Sequence, residues 1–287
     1  MVGSRSPRRC VVAGLSDGAR SDALLGANPA RHAYAGAGHR WAEDAMLAYR
    51  PLAEHLVGRC PVPPSRRAVL DAGAGTGAVG AVLTAAGALV ISCDLEDNML
   101  RCDQGGSTVR PAVVADITAL PFGDDAFDIA VAGFVLNHLA DPITGLRELG
   151  RVTCSGGVVL ASVFGEDRAP AKQAIDAVLA AHGWEAPAWY QAMQERASAV
   201  ATSDQIARAA ARAGLVGAEV ECADIDVGLD DPALIVRYRF GMPQVAVFVD
   251  TLTASARAAV TAEAIEAVER TATSFRPGVV ELIARVS

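Results

Sequence analysis

Residues 69–80 read VLDAGAGTGAVG, an apolar run followed by Gly73, Gly75 and Gly77 and then a helix-compatible stretch. Glycines at that spacing let the backbone turn tightly and let a ligand approach the main chain closely. Such a loop belongs at the junction of a strand and a helix in a parallel α/β sheet. The surrounding pattern agrees. Short apolar runs at Ala68–Ala72, Ala88–Cys93, Ala112–Ala115, Asp128–Ala132 and Gly157–Val163 predict five strands. Helices are expected between them at Ala78–Ala86, around Asp97–Asp103 and at Asp141–Arg151. Apolar strands alternating with helices imply a doubly wound parallel sheet, covered on both faces and joined by right-handed crossovers.

Outside that region the texture differs. Residues 1–28 are rich in Gly, Ser, Ala and Arg and read as a loose arm, and Asn28–Arg59 carries a helical pattern. The run CPVPPS at 60–65 breaks any helix and acts as a linker. Residues 1–64 are therefore expected to form an arm and helical cap, and 65–287 one α/β domain. Past Phe164, helices are expected at Ala171–His182 and at Ser203–Ala213, with Ser203 as N-cap and Gly214 as stop. Strands are expected at Val216–Val227 and Val279–Val286, with a mostly helical insertion at about 228–275 between them.

Composition sets the outer limits. Hydrophobic residues make up 52% of the 287, enough to bury a large core. The net charge of −8 disfavours a non-specific grip on nucleic acid. Of the 25 basic residues, Lys172 is the one lysine. Six cysteines are scattered without a CxxC pair, as expected of free thiols in a reducing cytoplasm. The five histidines form no ligand cluster with them, so no metal is expected. No apolar stretch approaches a membrane span, and no targeting segment is read at the start, so neither membrane nor nucleic acid is an expected partner.

Charge separates the candidate ligands of the glycine loop. Gly75, Gly77 and Gly80 also satisfy GxGxxG, which by itself suits a dinucleotide. Asp71, however, ends the first strand. Beside a pyrophosphate about 4 Å away it would cost roughly 4 kcal/mol at an effective dielectric of 20. The same carboxylate suits S-adenosylmethionine, whose ammonium and sulfonium are positive and which has no phosphate. Asp94 ends the second strand, where it is placed to accept both ribose hydroxyls. Asp116 follows the third, where it is placed to accept from the adenine amine. Each has a plainer reading: a helix-dipole or turn acid for Asp71, a strand-end turn residue for Asp94, and a helix N-cap for Asp116. Their recurrence at successive strand ends favours a shared crevice.

The stretch from about Val69 to Phe164 resembles a class I S-adenosylmethionine-dependent methyltransferase of the small-molecule type found in quinone and natural-product pathways. The likeness rests on VLDAGAGTG at 69–77, CDLEDNML at 93–100, ADITALPF at 115–122, FDIAVAGFVLNHLADP at 127–142 and LRELGRVTCSGGVVLAS at 146–162. It covers about a third of the chain. The resemblance implies a Rossmann-like sheet of seven strands whose last is antiparallel. It implies that Asp71, Ala72, Gly73, Gly75 and Gly77 line the methionine end of the cofactor. Asp94 then holds the ribose, Leu95 and Met99 flank the adenine, Asp116 and Ile117 contact its amine and ring, and Gly133 and Phe134 lie under the methionine. The family often has Glu at the position of Asp71. HAYAGAGHRW at 32–41 loosely resembles the helix that closes such sites, so Tyr34, Arg40 and Trp41 are candidates to reach the cofactor or the acceptor, or else pack the helix.

Methyl transfer from a sulfonium needs alignment and exclusion of water more than it needs acid–base help. A base is required where the acceptor carries a proton, and His138 in FVLNHLADP is the candidate, its ordinary pKa suiting neutral pH. The alternative is that His138 packs the turn beside Asn137 and Asp141. Acceptor contacts are expected from Trp184, Trp189 and Tyr190 in GWEAPAWY, and from Arg237, Tyr238, Phe240, Met242 and Gln244 in VRYRFGMPQ. These suit an apolar or aromatic metabolite methylated on O, N or C, or else form a secondary core. The competing functions are a non-catalytic S-adenosylmethionine binder and a nucleotide-dependent oxidoreductase. A monomer or homodimer is expected.

Overall fold

Seven strands, β1 (Ala68–Ala72), β2 (Leu89–Asp94), β3 (Ala112–Val114), β4 (Phe127–Gly133), β5 (Thr153–Phe164), β6 (Val216–Asp224) and β7 (Gly278–Arg285), pair in the order β3-β2-β1-β4-β5-β7-β6. This computed structural model describes residues 34, 36–102, 110–165, 169–271 and 274–287. The arm expected at 1–28 lies outside the described residues. Strands β1 to β5 run parallel, and β7 lies antiparallel between β5 and β6. The expected α/β class and the antiparallel last strand both hold. Sequence order doubles back at β1, so β1 and β4 diverge toward opposite edges and open a crevice at their carboxyl ends. Strands β1 and β4 are buried on both faces, as their unbroken apolar runs require. The edge strand β6 is exposed and carries Glu219, Glu221 and Asp224, charges that discourage pairing with another chain.

Strand β5 begins at Thr153, four residues before the expected Gly157. Its register shifts between Phe127↔Thr153 and Ile129↔Val158, so TCSGG forms an irregular lead-in that has no strand-like pattern. Helices cover both faces. A short turn (Gly38–Arg40) and a π-helical turn (Trp41–Ala45) run into α1 (Met46–Gly58). Then follow α2 (Ala78–Ala85), α3 (Asp97–Arg101), α4 (Pro142–Val152) and α5 (Pro170–Ala181). Next come α6 (Ala188–Ala197) and α7 (Ser203–Arg212), and the insertion supplies α8 (Pro232–Gly241), α9 (Pro243–Thr251) and α10 (Ala254–Thr271). Two details depart from expectation. Helix α6 was unforeseen, since no side chain caps its start at Pro187. The N-cap of α7 is Thr202, not Ser203: Thr202 accepts from the Gln205 N–H and Gln205 reaches back to the Thr202 N–H, which completes a capping box.

One buried carboxylate ties the cap helix to the sheet. Glu281 on β7 is 3% exposed at its side chain and accepts from Arg59 Nη1 at 2.9 Å, with His55 Nδ1 at 3.1 Å. Arg59 also reaches Glu221 on β6 at 3.2 Å. Glu281→Ala should cost about 2 kcal/mol, less than the roughly 3–5 kcal/mol of a fully buried broken pair, because Arg59 keeps Glu221. The check is a lowered urea midpoint with an unchanged slope.

Candidate functional site

The glycine loop follows β1 directly. Gly73, Gly75 and Gly77 have φ of +73°, +56° and +87°, all left-handed. The N–H groups of Gly73 and Ala74 both donate to the Cys93 carbonyl, at 2.8 and 2.9 Å. A Cβ at Gly73 would come within 2.6 Å of Val135, so backbone angle and close approach both demand glycine there. Asp94 closes the other side. Its Oδ2 accepts from the Gly75 N–H at 2.8 Å and its Oδ1 from the Glu96 N–H at 2.9 Å. Burial pushes the Asp94 carboxyl up, and those backbone donors oppose it. A carboxylate offers about four acceptor sites, so two remain for hydroxyls of a ligand. Asp71 is 1% exposed. Asp116 Oδ1 accepts from the Thr118 N–H and hydroxyl, so the turn-capping reading of Asp116 is realised in the same carboxyl group. At the end of β4, Phe134 holds a left-handed φ of +59°, a strain of order 1 kcal/mol stored beside the crevice.

Two cavities meet at these strand ends. The first, of about 140 Å³, takes in the glycine loop, Asp71, Asp94, Glu96 and Asp116. Tyr34, Gly73, Gly75, Leu95, Met99, Ile117, Gly133 and Phe134 also line it. Ala72 is buried within β1, and Gly77 opens α2 as its N-cap; neither is in the wall. The second cavity, of about 330 Å³, lies between β4, β5 and helices α5, α6 and α8. Tyr34, Tyr49, Phe134 and His138 line both. His138 sits in a 3-10 turn after β4, with Nε2 at 3.5 Å from the Tyr34 hydroxyl. Burial pushes the imidazole down to about 4 and holds the Tyr34 phenol above its ordinary value. His138 is thus neutral at neutral pH and a weaker base than its ordinary pKa implies.

The expected acceptor residues divide. Tyr190, Tyr238, Met242 and Gln244 line the second cavity, while Trp41 lines the first and stacks between Tyr34 and Tyr49. Four others are in neither wall among the described residues: Trp184, Trp189, Arg237 and Phe240. Arg237 points outward to Asp44 at 2.6 Å, and Phe240 is buried in the core under the cap. Arg40 likewise pairs outward with Asp250 at 2.6 Å. Trp184 donates to the Gln244 carbonyl at 2.9 Å and so supports the wall from behind. Residues not foreseen include Tyr49, Lys172 and Arg239 in the second cavity and Glu96 in the first. Helical rotation was the available signal for Arg239, since residues 237 and 239 of one helix face nearly opposite ways.

The depressed His138 pKa links to stability with a definite sign. Between about pH 6.5 and 4 the unfolded chain binds a proton at this site that the folded chain rejects, so stability falls as pH falls through that window. His138→Gln cannot titrate. It should therefore lose less melting temperature than the parent between pH 7 and pH 4, which parallel thermal melts measure.

Residues 70–161 match the family model described as a methyltransferase domain. Over 115 residues the chain is 36% identical to a demethylmenaquinone methyltransferase of Clavibacter sepedonicus, covering 39% of this chain and 47% of that protein. It thus spans less than half the length of this curated relative. Among solved structures, phosphoethanolamine N-methyltransferase 2 of Haemonchus contortus, held with phosphomonomethylethanolamine and S-adenosylhomocysteine, superposes with a TM-score of 0.55. The identity is 17%, over 92% of this chain and 58% of that one. The [4+2]-cyclase SpnF superposes at 0.50 with 20% identity, over 83% and 80% of the two chains, so the fold also carries a chain named for other chemistry. Segment 70–161, which carries the glycine loop, is thus similar to methyltransferase domains, and the sheet around it has the fold of S-adenosylmethionine-dependent methyltransferases.

Proposed function

We propose that the protein transfers a methyl group from S-adenosylmethionine to O, N or C of a small apolar or aromatic metabolite. The observation that carries this reading is the charge of the first cavity. Asp71, Asp94, Glu96 and Asp116 line it, and no lysine or arginine does among the described residues. Four carboxylates around one cavity suit a ligand bearing an ammonium and a sulfonium and oppose a diphosphate. Asp94 takes the ribose hydroxyls on its remaining lone pairs, Asp116 the adenine amine, and Leu95, Met99 and Ile117 the adenine ring. Asp71, Gly73, Gly75, Gly133 and Phe134 hold the methionine end. When bound, S-adenosylmethionine supplies a methyl group already activated on sulfur. The chain's part is to orient the acceptor at the shared wall of Tyr34, Phe134 and His138 and to exclude water.

In this reading the described residues up to 64 cap the enzyme, 65–287 hold its catalytic domain, and the insertion at about 228–275 closes the acceptor side. Among the described residues no helix is long and apolar enough to cross a membrane. We place the enzyme in the cytoplasm, as a monomer or homodimer. A second reading, S-adenosylmethionine binding without methyl transfer, draws support from the weak base at His138 and from the cyclase that shares the fold.

S-adenosylhomocysteine should raise the melting temperature and NAD should not; a larger shift with NAD sinks the reading. By calorimetry, Asp94→Ala should weaken S-adenosylhomocysteine more than tenfold, through lost hydroxyl bonds worth about 1.5–3 kcal/mol and through release of the Gly75 N–H. Asp94→Asn, which retains an acceptor oxygen, should lose less. If His138 takes a proton from the acceptor, His138→Ala should lower single-turnover rate roughly 10²–10⁴-fold with cofactor affinity intact. The parent's rate should then level off above about pH 5 rather than about pH 7, following the lowered pKa. A stable variant with unchanged turnover removes His138 from the chemistry.

A further inference from the structure

The second cavity has the opposite charge character to the first. Lys172 and Arg239 line it, and among the described residues no aspartate or glutamate does. That contrast arises in a chain with a net charge of −8 and one lysine. All four tyrosines of the chain, Tyr34, Tyr49, Tyr190 and Tyr238, also line it. Arg239 is 2% exposed and rigidly set. Its Nε donates to Asp176 Oδ1 at 2.7 Å and its Nη2 to Oδ2 at 2.9 Å. Its Cζ lies 5.9 Å from the Trp184 ring centroid. Asp176 stands behind the wall, not in it, and accepts two of the five N–H bonds that a guanidinium carries. Lys172, one turn before Asp176 on α5, brings its Nζ to 3.9 Å from Oδ2. A planar guanidinium held on edge by one carboxylate presents a fork that matches a second planar oxyanion.

We propose that the acceptor is an aromatic acid, its ring held among the four tyrosines and its carboxylate anchored on the Arg239 and Lys172 side of the second cavity. The proposal rests on the methyl-transfer reading above and names its acceptor class. The two cavities then divide the charges. The acidic one takes the cationic cofactor and the basic one takes the anionic acceptor, so each partner is repelled from the other's place. The carboxylate is the anchor, and the methylated atom lies elsewhere on the molecule, near Tyr34, Phe134 and His138 where the cavities join. Hydroxyls of tyrosine suit this role, because they bond ring oxygens and pack their faces on an aromatic body.

The test uses the full chain saturated with S-adenosylhomocysteine and two matched pairs of probes: benzoate with benzamide, and 2-naphthoate with 2-naphthamide. Calorimetry should find at least one acid bound tenfold or more tighter than its amide. Protein made with [ε-13C]lysine has one side-chain lysine signal, from Lys172, and that signal should move with the acid and not with the amide. Lys172→Gln should weaken the acid about fivefold. The double variant Arg239→Gln with Asp176→Asn, which leaves no buried charge unpaired, should erase the preference for acid over amide with S-adenosylhomocysteine affinity retained. Equal binding of acid and amide in both pairs overturns the proposal, as does an acid that binds with the Lys172 signal unmoved and its affinity unchanged in Lys172→Gln. If the double variant fails to fold, the lysine signal and Lys172→Gln still decide. Failure of the parent to bind S-adenosylhomocysteine is a separate result and overturns the methyl-transfer reading itself.

Discussion

The bond from the Gly75 N–H to Asp94 Oδ2, at 2.8 Å, joins the ends of the first two strands and shapes what stands between them. The loop can reach Asp94 because Gly73 and Gly75 hold left-handed angles, and it is held down by two N–H groups on the Cys93 carbonyl. The far side of the loop meets Val135, beyond the end of β4. Three strand ends thus bear on one turn of backbone. Rigidity there has a chemical use, since catalysis by alignment depends on holding geometry within fractions of an ångström. Asp94 therefore both holds the loop and lines the first cavity, so loop geometry and cavity wall share a single carboxylate.

Electrostatics organises the volume above that floor. Carboxylates gather at the ends of β1, β2 and β3, whereas the cations face the second cavity from α5 and α8. The two groups come from different parts of the chain, the sheet and the helices that cover it. The sheet supplies an acidic floor, and later segments supply a roof that carries Lys172 and Arg239.

The legible part of the sequence was the part governed by local rules. Strand periodicity, glycines demanded by φ, and acids at strand ends each follow from a few neighbouring residues, and they located the parallel strands and the crevice. The second cavity depends on how helices rotate against one another, which no local pattern states. Within VRYRFGMPQ, Arg237 was the candidate and Arg239 was not named, yet Arg237 faces Asp44 at the surface and Arg239 the cavity. Tyr49 falls within the expected helical stretch 28–59 and was not singled out, because its place across from Phe134 arises only when that helix docks on β4 and β5. His138 was placed correctly at the crevice rim, but its ordinary pKa was the wrong guide, because burial is a tertiary quantity.

The cap and the insertion close the site as one unit. Arg40 reaches Asp250 at 2.6 Å and Arg237 reaches Asp44 at 2.6 Å, so the turn bearing Trp41 is fastened to α8 and α9 from outside. Exposed pairs of this kind contribute little stability each, typically under about 1 kcal/mol. Their effect is on geometry. Trp41 packs against Tyr34 and Tyr49, and both tyrosines stand in the wall between the cavities. The cap thus supplies part of the wall that the two cavities share. Outward-facing Arg237 lines neither cavity, yet its pair with Asp44 ties α8 to the turn whose Trp41 packs against that aromatic wall.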